Sequence, residues 1–185
     1  MEFKNRNPKI YVLSGKAGNG KNKVASYIGS IYQEASKKSI NLSYASYLKE
    51  YAINILGWDG NEDTKPREFL QQIGVELIKN KINSKMLINR IVEDIKVYSN
   101  FYDVITISDA RFPEEIETIR NTFNNVVVVH IHGLEDKNNL TELEKKHSTE
   151  TSLDNYNDYN YDIDNSGTLE ELKEKIEKII KENDK

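Results

Sequence analysis

The residues whose types and spacing point most directly to chemistry lie in one stretch near the amino terminus, residues 14–22, which reads S-G-K-A-G-N-G-K-N. Gly15 and the pair Gly20-Lys21 have the spacing of a phosphate-binding P-loop. Glycine allows the backbone to turn several N–H groups toward phosphate oxygens, and Lys21 adds a positive charge within reach of the β- and γ-phosphates. The stretch therefore predicts a phosphate site formed by Gly15, Lys16, Ala17, Gly18, Asn19, Gly20, Lys21 and Asn22.

Asn22 is where this stretch departs from the usual P-loop, which has a Ser or Thr whose hydroxyl binds magnesium. An amide oxygen is a neutral ligand for Mg2+, so Asn22 is one predicted metal ligand. The alternative is that the stretch is only a Gly-rich turn from a strand to a helix. Its context favours the phosphate site, because a β-type run at residues 10–13 precedes it and Val24 and Ile28 follow at helical spacing.

A second group of candidates follows the apolar run at residues 104–108, which is typical of a strand buried on both faces. Asp109 comes directly after this run, where a Walker-B-type partner of magnesium belongs, and it is the second predicted metal ligand. The alternative is that Asp109 caps the helix that Pro113 begins. Arg111 lies at the same edge and can clamp a phosphate with two parallel hydrogen bonds.

Two further polar stretches could complete a site for a phosphorylated acceptor. Arg67 lies in the first turn of a predicted helix and Gln71 is four residues on, so both project from one face. Arg67 would suit a monophosphate and Gln71 a base edge, although a solvated helix face explains the spacing equally well. The segment 133–155 is too long for a turn and suits a lid over phosphates, with a solvated charged helix as the alternative. Its candidates are Lys137, Lys145, Lys146 and His147.

The elements that would position these residues alternate along the chain between β-rich runs and helical patterns. Strands are predicted at residues 10–13, 40–44, 104–108, 126–131 and 161–164. Helices are predicted at residues 24–35 and 47–56, from Pro66, across 87–98, from Pro113 and across 169–179. Buried strands that alternate with helices indicate an α/β fold of three layers, α/β/α, around a parallel sheet of about five strands. The P-loop would lie at the carboxyl ends of the strands, where such sheets bind ligands.

The composition limits the class of protein further. The 185 residues suit one domain spanning residues 1–185, with acceptor-binding helices at about 45–100 and a lid at about 133–155. The net charge of −4 argues against a general binder of polymeric nucleic acid. There is no cysteine for disulfides, thiol chemistry or a Cys-based zinc site. With no apolar signal core at the start and no apolar run of membrane-spanning length, we expect a cytoplasmic protein without a membrane partner.

The motifs taken together resemble the phage-type deoxynucleoside monophosphate kinases, a family of the P-loop nucleotide-kinase group. The resemblance covers most of the chain, and its most specific motif is I-S-D-A-R-F-P-E-E-I-E at residues 107–117. The P-loop at residues 14–22 and P-R-E-F-L-Q-Q-I-G at 66–74 support it. Y-A-S-Y-L-K-E at 44–50, H-S-T-E-T-S-L-D at 147–154 and Y-D-I-D-N-S-G-T-L at 161–169 extend it in the same order.

The resemblance implies a P-loop kinase fold with a mobile lid, small nucleotides as partners, Mg2+ as cofactor and ATP as phosphoryl donor to a deoxynucleoside monophosphate. Lys21 would bridge the donor and the transferred group, and Asp109 would help to hold Mg2+. Arg111 would neutralise charge in the transition state, and these three are the predicted catalytic residues. The predicted acceptor-binding residues are Arg67, Gln71, Arg111 and, as a weaker candidate, Lys49; the predicted lid residues are Lys145, Lys146 and His147.

Three positions depart from the family pattern, which has Thr at the position of Lys23, Thr at that of Val75 and Arg at that of Lys79. Lys23 would add charge beside the ATP site or simply face solvent, and Lys79 lacks the bidentate guanidinium fork. These departures leave the rate and the substrate preference open. Dephospho-CoA and phosphomevalonate kinases, which share the architecture, and a nucleotide-binding module that transfers no phosphate are alternatives. The preferred base and a possible homodimer are also open.

Overall fold

A five-stranded sheet forms the centre of the computed structural model, which describes residues 3–133 and 140–184. The strands are β1 (Lys9–Ser14), β2 (Ser39–Leu42), β3 (Val104–Ala110), β4 (Val126–His132) and β5 (Tyr161–Asp164). Their order across the sheet is β2-β3-β1-β4-β5, and each neighbouring pair is parallel. The carboxyl ends of the strands therefore lie at one edge, as predicted.

Helices connect the strands and cover both faces of the sheet. The longer helices are α1 (Lys21–Glu34), α2 (Tyr44–Leu56), α4 (Met86–Tyr98), α5 (Pro113–Thr122) and α8 (Leu169–Asn183). The shorter ones are α3 (Arg67–Gln71), α6 (Glu142–Lys145) and α7 (Ser148–Thr151), with a 3-10 turn at Glu62–Thr64 and a π-helix at Gln72–Ile82. Within the described ranges, none of the helices has both the length and the apolar character needed to cross a membrane.

The core consists of two apolar layers, one on each face of the sheet. Successive side chains of a strand point to opposite faces. Tyr11 and Leu13 of β1 pack with α1 and α8, whereas Ile10 and Val12 pack on the other face with α2, α4 and α5. A strand covered on both faces needs apolar residues at nearly every position, which is why β1 and β3 are recognisable in the sequence. The predicted three-layer α/β/α fold is confirmed.

The second strand requires one correction. β2 ends at Leu42, and Tyr44, which was predicted to belong to this strand, is the first residue of α2. Asp109 bonds the first N–H groups of α2 and fixes its start there, a contact between residues distant in sequence. The end of α2 agrees with the prediction, because Gly57 follows it with a φ of 68° and terminates the helix.

The helix predicted from Pro66 begins as expected and then changes type. α3 continues directly into the π-helix, which has more residues per turn than an α-helix. Gly74 in this π-helix lies against α2: an added Cβ would stand 2.9 Å from Cδ1 of Leu48. The two helices therefore pack closely on the side of the molecule that was predicted to bind the acceptor.

Candidate active site

The P-loop connects β1 to α1 at the carboxyl edge of the sheet. Gly15 and Gly20 have φ values of 134° and 88°, which glycine adopts without steric cost. A side chain at Gly15 would also place its Cβ 2.1 Å from the backbone oxygen of Ile131. The Asn19 side-chain amide donates to that oxygen at 3.0 Å, and the amide of Asn165 donates to the carbonyl of Asn19 at 3.0 Å. The loop is thus fastened both to β4 and to the segment after β5.

Lys21, the first residue of α1, is buried beneath this loop with 7% of its surface exposed. Its Nζ donates to the carbonyl oxygens of Gly15 and Lys16 at 2.7 and 2.8 Å. The pKa of Lys21 is lowered to about 7, first by burial and second by the charge of Arg111, while two nearby carboxylates act in the opposite direction. Bound phosphates would favour the charged form, so the protonated fraction of Lys21 would rise when such a ligand binds.

Asp109 is the second-last residue of β3 and faces the amino terminus of α2. Its Oδ1 accepts a hydrogen bond from the N–H of Tyr44 at 2.9 Å. Its Oδ2 accepts from the N–H of Ala45 at 2.9 Å and from the hydroxyl of Ser43 at 2.7 Å. The carboxylate therefore does cap a helix, but that helix is α2 and not α5, which the sequence suggested as the alternative. Asp109 also lines the same cavity as Asn22.

Arg111 is held in the turn between β3 and α5 by a buried carboxylate. Oε2 of Glu115 accepts from the N–H groups of Arg111 and Phe112 at 2.7 and 3.1 Å. Burial, the largest influence, raises the pKa of Glu115 to about 8; the charge of Asp109 adds to this rise, and the two N–H bonds oppose it. Glu115 therefore fixes the backbone of Arg111, and the guanidinium group of Arg111 reaches the cavity.

The predicted acceptor residues lie on the wall formed by α2, α3 and the π-helix. Arg67 and Gln71 line the cavity, and Nε2 of Gln71 is 3.5 Å from the hydroxyl of Thr149. Lys49 also lines it, but its Nζ pairs with Glu62 at 2.5 Å. The structure therefore brings all three residues to one cavity and places Lys49 in an ion pair.

The three positions that depart from the family pattern have different surroundings. Lys23 is exposed, with Nζ 5.0 Å from the centre of the Tyr27 ring, so it lies on the solvent side of α1. Val75 lines the cavity. Nζ of Lys79 is 3.3 Å from the centre of the Phe112 ring and supports the turn into α5. Of the three, Val75 is the one with direct access to a ligand in this cavity.

The predicted lid is described from residue 140 onward, and Lys137 lies outside the described residues. Lys145 is exposed and pairs at 2.9 Å with a glutamate in the preceding turn of α6, and Lys146 is exposed as well. Nδ1 of His147 accepts from the N–H of Thr149 at 3.3 Å, so this histidine caps α7. The residues of this segment that line the cavity are Leu140, Glu144, Thr149 and Glu150.

Glu150 on α7 is a site residue that sequence reasoning missed. Its side chain is 7% exposed, and its Oε2 accepts from the N–H of Ala17 at 2.8 Å. Its Oε1 lies 2.8 Å from Nη1 of Arg111. Glu150 belongs to the motif at residues 147–154, but a phosphate site calls for cations, and nothing in the polar sequence around it indicates burial.

The cavity that these groups share has a volume of about 490 Å³. It contacts the P-loop at Gly18 and Lys21, the sheet edge at Arg111, and the acceptor wall at Arg67 and Gln71. Pockets of this size commonly bind small molecules. Within the described part of the chain, no cluster of three or more His, Cys, Asp and Glu side chains is arranged to hold a metal ion. Cationic side chains line the cavity at both of its ends, Lys21 at one and Arg67 at the other.

Several solved structures with a similar fold are described as kinases. The APS kinase of Mycobacterium tuberculosis in complex with AMPPNP and APS has a TM-score of 0.61 at 10% identity, over 95% of this chain and 98% of that chain. A sugar kinase from Janibacter scores 0.56 at 12% identity, over 94% and 95%. The shikimate kinase of Bacteroides thetaiotaomicron scores 0.55 at 12% identity, over 94% and 98%. Together with the geometry of the P-loop, these likenesses show the fold class, which is the P-loop kinase fold.

Sequence comparison assigns the family within this class. The deoxynucleotide monophosphate kinase family model matches residues 30–176, which is most of the chain. The protein therefore belongs to the deoxynucleotide monophosphate kinase family and is a nucleotide monophosphate kinase. The matched region contains Arg67, Asp109, Arg111 and Glu150, while the P-loop precedes it and is identified by its own geometry. No curated protein matches the chain.

Proposed function

We propose that the protein transfers the γ-phosphate of ATP to a deoxynucleoside monophosphate, which yields the deoxynucleoside diphosphate and ADP. The observation that carries this proposal is the cavity that contacts the P-loop, Arg111, Arg67 and Gln71 together. Transfer between two phosphates requires both nucleotides to lie side by side, with positive charge where they meet. Membership of the family supports a deoxynucleotide as the acceptor.

On the donor side, the P-loop and Lys21 bind the triphosphate in this proposal. Backbone N–H groups of residues 15–22 would surround the phosphates, and Lys21 would turn from its two carbonyl partners to the phosphate oxygens. The APS kinase with the same fold was solved with AMPPNP, which supports a nucleoside triphosphate as the donor here. The catalytic contribution of this end is therefore orientation and neutralisation of charge.

Mg2+ is the proposed cofactor, and the residues present suit it. Mg2+ prefers oxygen ligands and usually combines one or two protein oxygens with water and substrate phosphates. Asn22 and Asp109 offer such oxygens in the same cavity. Asn22 and Asp109 would hold the ion, Asp109 with oxygens that also accept hydrogen bonds from the start of α2. The ion would supply neutralisation of phosphate charge when bound.

On the acceptor side, the helices between residues 45 and 100 form the proposed acceptor-binding region. Arg67 would bind the monophosphate, and Gln71 would contact the edge of the base. Arg111 would bind phosphate where the two nucleotides meet, and Lys49 would add positive charge to the wall of the cavity. The segment of α6 and α7 serves as the proposed lid, since water excluded from the site cannot hydrolyse ATP. The roles of Lys145, Lys146 and His147 in this lid stay predictions.

The cytoplasmic location and the homodimer also stay predictions. The exposed apolar side chains of α2 and the π-helix are a candidate surface for a second copy; they are Ile53, Ile55, Leu56, Leu77 and Ile82. Light scattering coupled to size-exclusion chromatography would measure the mass in solution. A mass of one chain at micromolar concentration would contradict the dimer.

An acceptor panel tests the proposed reaction. The protein would be incubated with ATP, Mg2+ and each common deoxynucleoside monophosphate, with the matching ribonucleotides, dephospho-CoA and phosphomevalonate in parallel reactions. We expect ADP and a deoxynucleoside diphosphate in equal amounts from at least one deoxynucleotide, detected by ion-exchange chromatography. Product from dephospho-CoA or phosphomevalonate alone would contradict the proposal that the acceptor is a deoxynucleoside monophosphate. Tight ATP binding with no product from any acceptor would identify a binding module instead.

A further inference from the structure

Glu150 occupies a position that the proposed reaction would give to a phosphate. Its two carboxylate oxygens contact two different parts of the site: the N–H of Ala17 in the P-loop at 2.8 Å and Nη1 of Arg111 at 2.8 Å. The backbone oxygen of the preceding Thr149 also accepts from Nη1 of Arg111 at 3.3 Å. One buried acid of α7 thus bridges the donor loop and the cation at the boundary between the nucleotides.

The charges of the surrounding side chains explain why an acid is stable there. Lys21 is buried and Arg111 is half-buried, and they lie close enough for the charge of Arg111 to lower the pKa of Lys21. Two cations in a site sheltered from water need a nearby anion, and Glu150 supplies one from inside the protein. An ion pair between Lys16 and Asp154 at 3.1 Å holds the same segment to the loop from the solvent side.

The same contacts cannot persist with a triphosphate in the P-loop. A γ-phosphate needs the loop N–H groups and the guanidinium of Arg111, and a carboxylate between them would place like charges in contact within a water-poor site. An acid that carries one charge is the weaker competitor against a triphosphate that carries several. A triphosphate in the P-loop would therefore have to remove Glu150 from both of its contacts.

We propose that Glu150 is an internal phosphate mimic that occupies the γ-phosphate position and is displaced from it by the triphosphate. Its departure releases Arg111 for the substrates and moves α7, so that donor binding and lid movement become one event. This inference rests on the proposed function for the identity of the displaced position. The alternative, in which Glu150 stays in place and only orients Arg111, makes the opposite prediction for affinity.

The test measures binding of inorganic tripolyphosphate by calorimetry, without an acceptor and without turnover. Glu150→Gln keeps the size of the side chain and an oxygen for the N–H of Ala17, but removes the charge. Glu142→Gln removes the same charge from an exposed position of α6 and is the matched control. We expect Glu150→Gln to bind tripolyphosphate about tenfold more tightly than the wild type, within the usual range of coupling between exclusive states. Glu142→Gln should bind as the wild type does.

Equal or weaker binding by folded Glu150→Gln would overturn the inference, since a positioning residue does not compete with the ligand. If this variant does not fold, hydrogen exchange of the wild type decides the question. Tripolyphosphate should change the exchange of backbone amides across residues 148–154, and an unchanged pattern there would also overturn it. Neither measurement involves an acceptor, so a failed acceptor panel and a failed displacement are separate results.

Discussion

The two ends of the cavity, to which the proposed function assigns the donor and the acceptor, are built by different means. The P-loop end consists of backbone that is fixed in place: Gly15 has no room for a side chain, and Asn19 is fastened to β4. At the acceptor end the candidate groups are side chains, of which Arg67 is exposed and Gln71 has one long contact. If the proposed function holds, this difference means that the choice of acceptor would depend on a few side chains that can be exchanged singly, whereas the donor would be bound mainly by backbone.

Removal of charge at the donor end should have the largest effect. Lys21→Ala is expected to lower kcat by about 10³-fold or more, the scale of such charges in phosphoryl transfer. Lys23→Ala removes the same charge two residues further on, at an exposed position, and should change kcat by less than about threefold. Steady-state kinetics on the preferred acceptor measures both variants. Near-normal turnover by Lys21→Ala would contradict the assignment of this end to the donor.

At the acceptor end, the loss should be confined to one substrate. Arg67→Ala is expected to raise the KM for the deoxynucleoside monophosphate by about 10- to 100-fold, because a charged hydrogen bond to the phosphate is lost. The KM for ATP should stay within about twofold, since the P-loop is untouched. Lys81→Ala, an exposed cation on the π-helix, serves as the control. If KM rose equally for both substrates, the two ends could not be treated as separate sites.

The donor end should also respond to pH, and the acceptor end should not. The pKa of Lys21 is about 7 in the empty protein, and the phosphates of ATP would raise it. ATP binding should therefore take up a proton above pH 7, and its affinity should fall by up to about tenfold per pH unit from there until the raised pKa is reached. Calorimetry in two buffers of different ionisation enthalpy counts the proton. The side chain in Lys21→Arg stays charged, so proton uptake by this variant would refute the assignment of the proton to Lys21.

The smallest effect is expected in stability, at the turn that joins the two ends. The pKa of Glu115 is about 8, against an ordinary value of 4.5, so the folded protein retains a proton that the unfolded chain releases between these pH values. The wild type therefore loses stability as pH rises from about 4.5 to 8, and Glu115→Gln, which still accepts both N–H bonds, should not share this loss. We expect the variant to gain about 1–3 kcal/mol over the wild type at pH 8 and little at pH 5, measured by urea unfolding. An equal difference at both pH values would contradict the shifted pKa.

The parts of the structure that could be predicted from the sequence are those with local causes. The P-loop depends on glycines at fixed spacing, and β1 and β3 on runs of apolar residues that two-sided burial demands. The first residue of α2 could not be predicted, because Asp109 of β3 determines it from 65 residues away. Gly74 of the π-helix likewise packs closely against Leu48 of α2, a contact that no local pattern encodes.

The site shows the same division between local and distant causes. Lys21, Asp109, Arg111, Arg67 and Gln71 were candidates from motif and spacing, and the structure places all five around one cavity. Their catalytic and binding roles stay predictions. Glu150 could not be found in the same way, since its importance comes from the fold, which buries its charge between Ala17 and Arg111.

The three hydrogen bonds that Asp109 accepts from the start of α2 also bear on how such a kinase can change during evolution. A substitution at Asp109 would disturb the proposed metal site and would also remove the hydrogen bonds that hold the start of α2, which forms part of the proposed acceptor site. One mutation would therefore weaken both sites. Val75, which lines the same cavity from the π-helix, has no such second duty among the contacts described above. New acceptor preferences should therefore arise through Val75 and Gln71, with Asp109 and the sheet edge left unaltered.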